Sequence, residues 1–113
     1  GQVCSESIGH TELSGVGGAS ETHIGAQRSS EGRGIIAINS LSNGGKHSKI
    51  VFELKPGAKI SISRNDIDTV VTEFGVARLK GKSVAERCKL MIGLAHPSYR
   101  DELMNQAIEY KYI

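Results

Sequence analysis

The sequence predicts an α/β fold, an open mixed sheet with flanking helices, and three observations carry that prediction. A continuous apolar run, "GIIAINS" (34–40), is bounded by glycine and polar residues, the pattern of a strand buried on both faces. A second run, "DTVVTE" (68–73), is rich in the β-branched residues that suit a pleated surface. Two segments near the C-terminus repeat apolar residues at helical spacing behind recognisable start signals.

In chain order, residues 2–8 admit a short strand through Val3. The glycine-rich "ELSGVGGASE" (12–21) follows. From Ala19 to Arg28, Ala19, Ile24 and Ala26 support a helix with Gly18 or Ser20 near its N-cap, although Gly25 lowers its propensity. After the buried strand at 34–40, "LSNGGKHS" (41–48) reads as a polar loop. Residues 49–63 read as a β-hairpin. Ile50, Phe52 and Leu54 alternate on one arm and Ile60 and Ile62 on the other, with Pro56-Gly57 suited to the centre of a type II turn. The strand at 68–73 comes next. Ser83 with Glu86 forms a capping box for a helix whose face carries Val84, Cys88, Met91, Ile92 and Ala95. "HP" (96–97) breaks that helix, with His96 expected as a C-cap residue favoured by the macrodipole. Ser98 and Asp101 then start a last helix bearing Leu103, Met104, Ala107 and Ile108.

A chain of 113 residues sets one domain and one modest core. The net charge is only +2 and no basic run or aromatic-basic alternation occurs, so nucleic acid is not an expected partner. No apolar run approaches the ~20 residues of a membrane helix, and no membrane partner is expected. Cys4 and Cys88 are too few and too far apart for a disulfide scaffold; reduced thiols in a cytoplasmic protein are the expectation. His10, His23, His47 and His96 lack ligand spacing, so no metal is expected.

Two stretches can carry chemistry. Gly15-Val16-Gly17-Gly18 opens onto a helix, where bare N–H groups can meet an anion, yet it matches neither a Walker loop nor GxGxxG. A purely structural turn is the competing reading. "VVTEFGVA" (70–77) puts Thr72-Glu73 at the end of a buried strand, where open α/β sheets place their ligand crevice. Glu73 can orient a substrate or move a proton there, or simply cap a turn. Lys46, Lys49 and Arg64 are candidate phosphate contacts, although isolated surface cations usually meet only water. Cys88 reads as core.

In order, "GQVCSESIG", "SGVGG", "SKIVFEL" and "VVTEFGVARLKGKSVAERCKLMIGLAHPSYRDEL" resemble the C-terminal part of the acetyl-CoA hydrolase/transferase family over roughly residues 1–107. The resemblance is nearest to members acting on 4-hydroxybutyrate. It implies that residues 1–113 are the C-terminal portion of such a domain, a partial CoA-transferase-like fold. It further implies transfer of CoA between short-chain carboxylates, such as 4-hydroxybutyrate and acetate, through a glutamyl-CoA thioester. Coenzyme A and acyl-CoA would be substrates, with no permanently bound cofactor.

By the same resemblance, the N–H groups of the SGVGG loop, Gly17 above all with Gly18 beside it, contact the acyl oxygen. Gly15 belongs to the same substrate- or CoA-binding loop, and Glu73 shapes the acyl or carboxylate pocket without being the nucleophile. That glutamate lies upstream in the family, outside these residues, so the fragment alone is expected to be inactive. Two departures stand out: "ETH" (21–23) replaces an Asp-Phe pair, and Asn43 replaces a loop lysine, with Lys46 nearby to serve. The expected partners are acyl-CoA, carboxylates, the rest of the transferase chain, and further copies in a homo-oligomer. A hydrolase is the first alternative, and a non-catalytic CoA- or phosphate-binding or assembly module the second.

Overall fold

The computed structural model describes residues 1–113, which form small sheets and three helices in two compact units. The first unit comprises Gly1–Ile35 and Glu53–Asp68, the second Ile36–Phe52 and Thr69–Ile113.

In the first unit, β1 (Ser7–Ile8) and β2 (Thr11–Glu12) form a minimal antiparallel hairpin around Gly9, whose φ of +57° suits glycine. Val3 lies in an isolated bridge to Ile62, with mutual backbone bonds of 3.0 and 3.3 Å, so the strand expected at 2–8 is reduced to that bridge and β1. Helix α1 (Ala19–Arg28) has the predicted bounds, with Gly18 at its N-cap. Its one buried residue is His23, whose Nε2 accepts the Asp68 N–H at 3.1 Å, while the Asp68 carboxylate accepts the Gly34 N–H at 3.0 Å. Ile62 and Ile67 are fully buried in this unit.

The hairpin expected at 49–63 does not form. Its turn does: Ala58 N–H donates to the Lys55 carbonyl at 3.0 Å and Gly57 takes φ +81°. The arms diverge because other partners claim them. Ser61 and Ile62 bond to Val3, whereas Ile50 enters the core of the second unit beside Phe52. Ile60, paired with Ile62 by the alternation, is 48% exposed, so alternation here marks neither the buried face of the second arm nor which backbone lies alongside.

A three-stranded sheet in the order β3-β4-β5, in the second unit but for Ile35, has β3 at Ile35–Ala37, β4 at Thr69–Thr72 and β5 at Gly75–Arg78. β3 is shorter than the predicted 34–40 strand, but its direction continues: Ile38 N–H donates to the Val71 carbonyl at 3.0 Å and Ser40 faces Glu73. Both contacts advance in the same sense, so the two segments run together, while β4 and β5 pair antiparallel from Thr69↔Arg78 to Thr72↔Gly75. The polar loop at 41–48 is closed by a Leu41↔Ser48 bridge around a 3-10 turn at Asn43–Gly45.

Helices α2 (Val84–Leu94) and α3 (Pro97–Glu109) complete the unit. The capping box is present: Ser83 Oγ accepts the Glu86 N–H at 3.3 Å, and Ser83 N–H donates to Glu86 Oε2 at 2.8 Å. These bonds from Ser83, the backbone one first, hold the Glu86 carboxyl below its ordinary range. Their stabilising effect is therefore present above the unfolded value and lost as pH falls through the lowered one. Replacing Ser83 with Ala is expected to cost about 1 kcal/mol. Faster hydrogen exchange of the first-turn amides of α2 would report it; unchanged protection would contradict the cap.

His96 does not cap the end of α2, whose C-cap is Ala95 in an extended conformation. His96 is instead the N-cap of α3: its side chain accepts the Ser98 N–H at 3.3 Å, and Pro97 takes the first helical position, where a missing N–H costs nothing. α3 thus starts before Ser98. The core gathers Ile50, Ile92, Ala95, Leu103 and Ala107, packed by Phe52, Met91 and Tyr99. Val84 and Ile108, expected on the buried faces, are 50% and 56% exposed, and Cys88 is half-buried. Both cysteines are free thiols.

Candidate functional site

Glu73 occupies the tip of the β4-β5 hairpin, in the two-residue connection Glu73-Phe74. Neither residue has positive φ, so this is not the mirror-image turn that Asn-Gly would announce; Gly75 takes φ +145° instead. Thr72 sets the turn. Its buried hydroxyl donates to the Leu94 carbonyl at 2.8 Å, satisfying an orphan carbonyl at the end of α2, and accepts the Phe74 N–H at 3.2 Å.

The Glu73 side chain is exposed but tethered. Ser40, fully buried, donates its N–H to Oε2 at 2.9 Å and to Oε1 at 3.2 Å, and its hydroxyl donates to Oε1. The Ser40 hydroxyl, then its N–H, hold the carboxyl below the ordinary carboxylate range. The group is ionised at neutral pH. Beside it, Phe74 meets the His96 ring edge-on at 5.7 Å between centroids, and the Arg100 guanidinium lies 5.2 Å over the Phe74 ring. Arg100 Nε is itself fixed by a 2.9 Å bond to the Ala95 carbonyl.

A shallow, open cleft of about 510 Å³ runs along this edge. Ile38 and Val71 give it apolar walls, and Asn39, Lys49 and Glu73 its polar groups. The cleft's lysine is Lys49. Lys46 stands at the C-cap of the 3-10 turn, exposed, and its carbonyl faces the Tyr99 hydroxyl at 3.4 Å. No three His, Cys, Asp or Glu side chains gather into a group able to hold a metal ion.

Gly15, Gly17 and Gly18 belong to the first unit and are exposed. Gly17 takes φ +61°, and no atom lies within 4 Å of where a Cβ would stand at any of the three. Gly18 leads into α1, with its carbonyl accepting the Thr22 N–H at 3.0 Å and the Thr22 hydroxyl at 2.8 Å.

Sequence reasoning missed Ser40 and passed over Lys49 as an isolated cation. One signal for Ser40 was available: it ends the apolar run 34–40 as Glu73 ends 68–73, and the ends of adjacent strands share a crevice.

The second unit thus presents an ionised carboxylate at a hairpin tip beside a cleft lined by apolar residues and a lysine. Residues 1–107 match the acetyl-CoA hydrolase/transferase C-terminal domain, and the chain belongs to that family. It is 51% identical over 106 residues to the 4-hydroxybutyrate coenzyme A transferase of Clostridium kluyveri, covering 94% of this chain and 25% of that protein. It is 45% identical over 107 residues to the succinyl-CoA:cyclohexane-1-carboxylate CoA transferase of Geobacter metallireducens, covering 95% and 24%. The crystal structure of RipA from Yersinia pestis superimposes with a TM-score of 0.86 at 36% identity, over all of this chain and 25% of that one. The chain thus spans about a quarter of the length of the curated relatives it matches. No helix is long and apolar enough to cross a membrane.

Proposed function

We propose that residues 1–113 form part of a CoA-transferase that moves coenzyme A between short-chain carboxylates, 4-hydroxybutyrate and acetate among them, by way of a glutamyl-CoA thioester. The observation that carries this reading is the tethered, ionised Glu73 at the cleft of a chain belonging to this family. Transfer of this kind requires a carboxylate that attacks the thioester and a second set of groups that orients the acyl chain. Glu73 suits the second role. A carboxylate that already accepts hydrogen bonds from the Ser40 N–H and hydroxyl is a weakened nucleophile; the family resemblance implies that the attacking glutamate lies upstream of these residues.

The cleft's apolar walls accommodate a short acyl chain, and Lys49 and Asn39 can meet its polar end or a CoA phosphate; Lys46, at the rim of the loop, is a further CoA contact. In the first unit, the bare N–H groups of the Gly15–Gly18 loop would supply donors to an acyl oxygen as it gains charge. The test uses the full-length protein that carries this chain. Incubation with an acyl-CoA and isotope-labelled acetate is expected to give labelled acetyl-CoA at a rate exceeding the release of free thiol. Thiol release without label transfer would make the protein a hydrolase, and neither reaction would leave a binding or assembly module.

A further inference from the structure

Ser40 and Glu73 are 33 positions apart, and the continuation of β3 alongside β4 brings them together. Ser40 is itself fixed at both ends. Ahead of it, Ile38 bonds to Val71; behind it, the Lys49 N–H returns to the Ser40 carbonyl at 2.7 Å, closing the 41–48 loop. A fully buried hydroxyl needs a partner, and a nearby backbone carbonyl would serve. An exposed carboxylate needs none, because water satisfies it. The pairing satisfies the buried Ser40 N–H and hydroxyl, and it also takes away the rotational freedom of a side chain that would otherwise sample the solvent.

Two donors on one side of the carboxylate occupy three of its roughly four acceptor directions. What remains is an acceptor whose direction is set by Ser40, on a residue that lines the cleft. Such a group orients a hydrogen-bond donor on the ligand, a hydroxyl or an amide N–H, rather than another anion.

We infer that Ser40 is a positioning residue for acyl transfer, holding the Glu73 carboxylate in one orientation at the rim of the cleft so that it accepts from a donor on the bound acyl substrate. The inference rests on the reading that Glu73 belongs to the substrate site. The lowered acidity range of Glu73, for which the Ser40 hydroxyl is the first cause, agrees with it.

The test compares Ser40→Ala and Ser40→Cys in the full-length protein. Cys keeps the volume of the buried site and replaces a strong donor with a weak one. Each is expected to lower kcat for CoA transfer roughly tenfold, the loss of one hydrogen bond to a charged group. KM for acyl-CoA should change far less, and the acidic limb of the pH–rate profile should move to higher pH. A purely structural role would not move that limb. Carbon-13 NMR titration of the Glu73 carboxyl reads the same effect without turnover, and its midpoint should rise in both variants. Wild-type kcat with an unmoved midpoint in folded Ser40→Cys would overturn the inference. Full activity in Glu73→Ala would instead overturn the assignment of Glu73 to the substrate site, while a raised midpoint in the Ser40 variants would still show that Ser40 governs the carboxylate.

Discussion

Glu73→Ala in the full-length protein is expected to lower kcat/KM for CoA transfer by roughly a hundredfold, the scale on which loss of one preorganised polar group acts. The variant removes the carboxylate while leaving its setting in place. Thr72 still bonds to Leu94 and Phe74, and the β4-β5 register does not involve the Glu73 side chain. Its main effect should fall on turnover, with a modest loss of stability because the buried Ser40 N–H and hydroxyl lose their acceptor. Glu73→Gln keeps the length and one acceptor oxygen but loses the charge, so its deficit should be smaller than that of Ala. The pH dependence has a definite sign. Because Ser40 holds the carboxyl below its ordinary range, the ionised form persists through mildly acidic pH. Activity that depends on it is kept until pH falls through the lowered value, and the Gln variant should lack that acidic limb. Wild-type kcat/KM in Glu73→Ala would remove the residue from the site.

Where the sequence was legible, the signal was local. The capping box at Ser83 and Glu86, the helix at 19–28 and the β-branched run at 68–73 each depend on residues within a few positions of one another. Where it was not, the deciding partner was remote. The alternation in 49–63 predicts neither partner: Ile62 pairs with Val3, Ile50 packs on α2 and α3, and Ile60 is exposed. β5 is hard to read because Glu73-Phe74 is not a turn dipeptide and the strand's one buried residue is the small Ala77, with Leu79 just past its end and Val76, 61% exposed, on the other face. The candidate site divides the same way. The place of Glu73 at the end of a strand is legible in its own local run. Ser40, which controls it, carries no signal of its own in "AINS" until the two strands are known to be neighbours.

Gly32→Ala should be among the most damaging conservative changes in the chain, and the reason lies in how α1 ends. Ser29 closes the helix by donating its N–H to the Gly25 carbonyl at 3.1 Å and its hydroxyl to the Ala26 carbonyl at 2.7 Å. The chain then turns back, with Glu31 at φ +57° and the Gly32 N–H returning to the Ser29 carbonyl at 3.0 Å. A Cβ on residue 32 would stand 1.9 Å from the Ala26 carbonyl oxygen and 2.0 Å from the Ser29 hydroxyl. The first obstacle is backbone, so no rotamer change relieves it; the last turn of α1 must open or the 29–32 turn must shift. Overpacking of this kind costs about 3 kcal/mol. Gly25, seven positions earlier and within α1, has open space where its Cβ would stand. Gly25→Ala should therefore stabilise the helix by about 0.5–1 kcal/mol, the ordinary gain of alanine over glycine. Native-state hydrogen exchange of the α1 amides separates the two cases, with faster exchange in Gly32→Ala and slower exchange in Gly25→Ala. Equal protection in both variants would mean that α1 does not end against Gly32 as described.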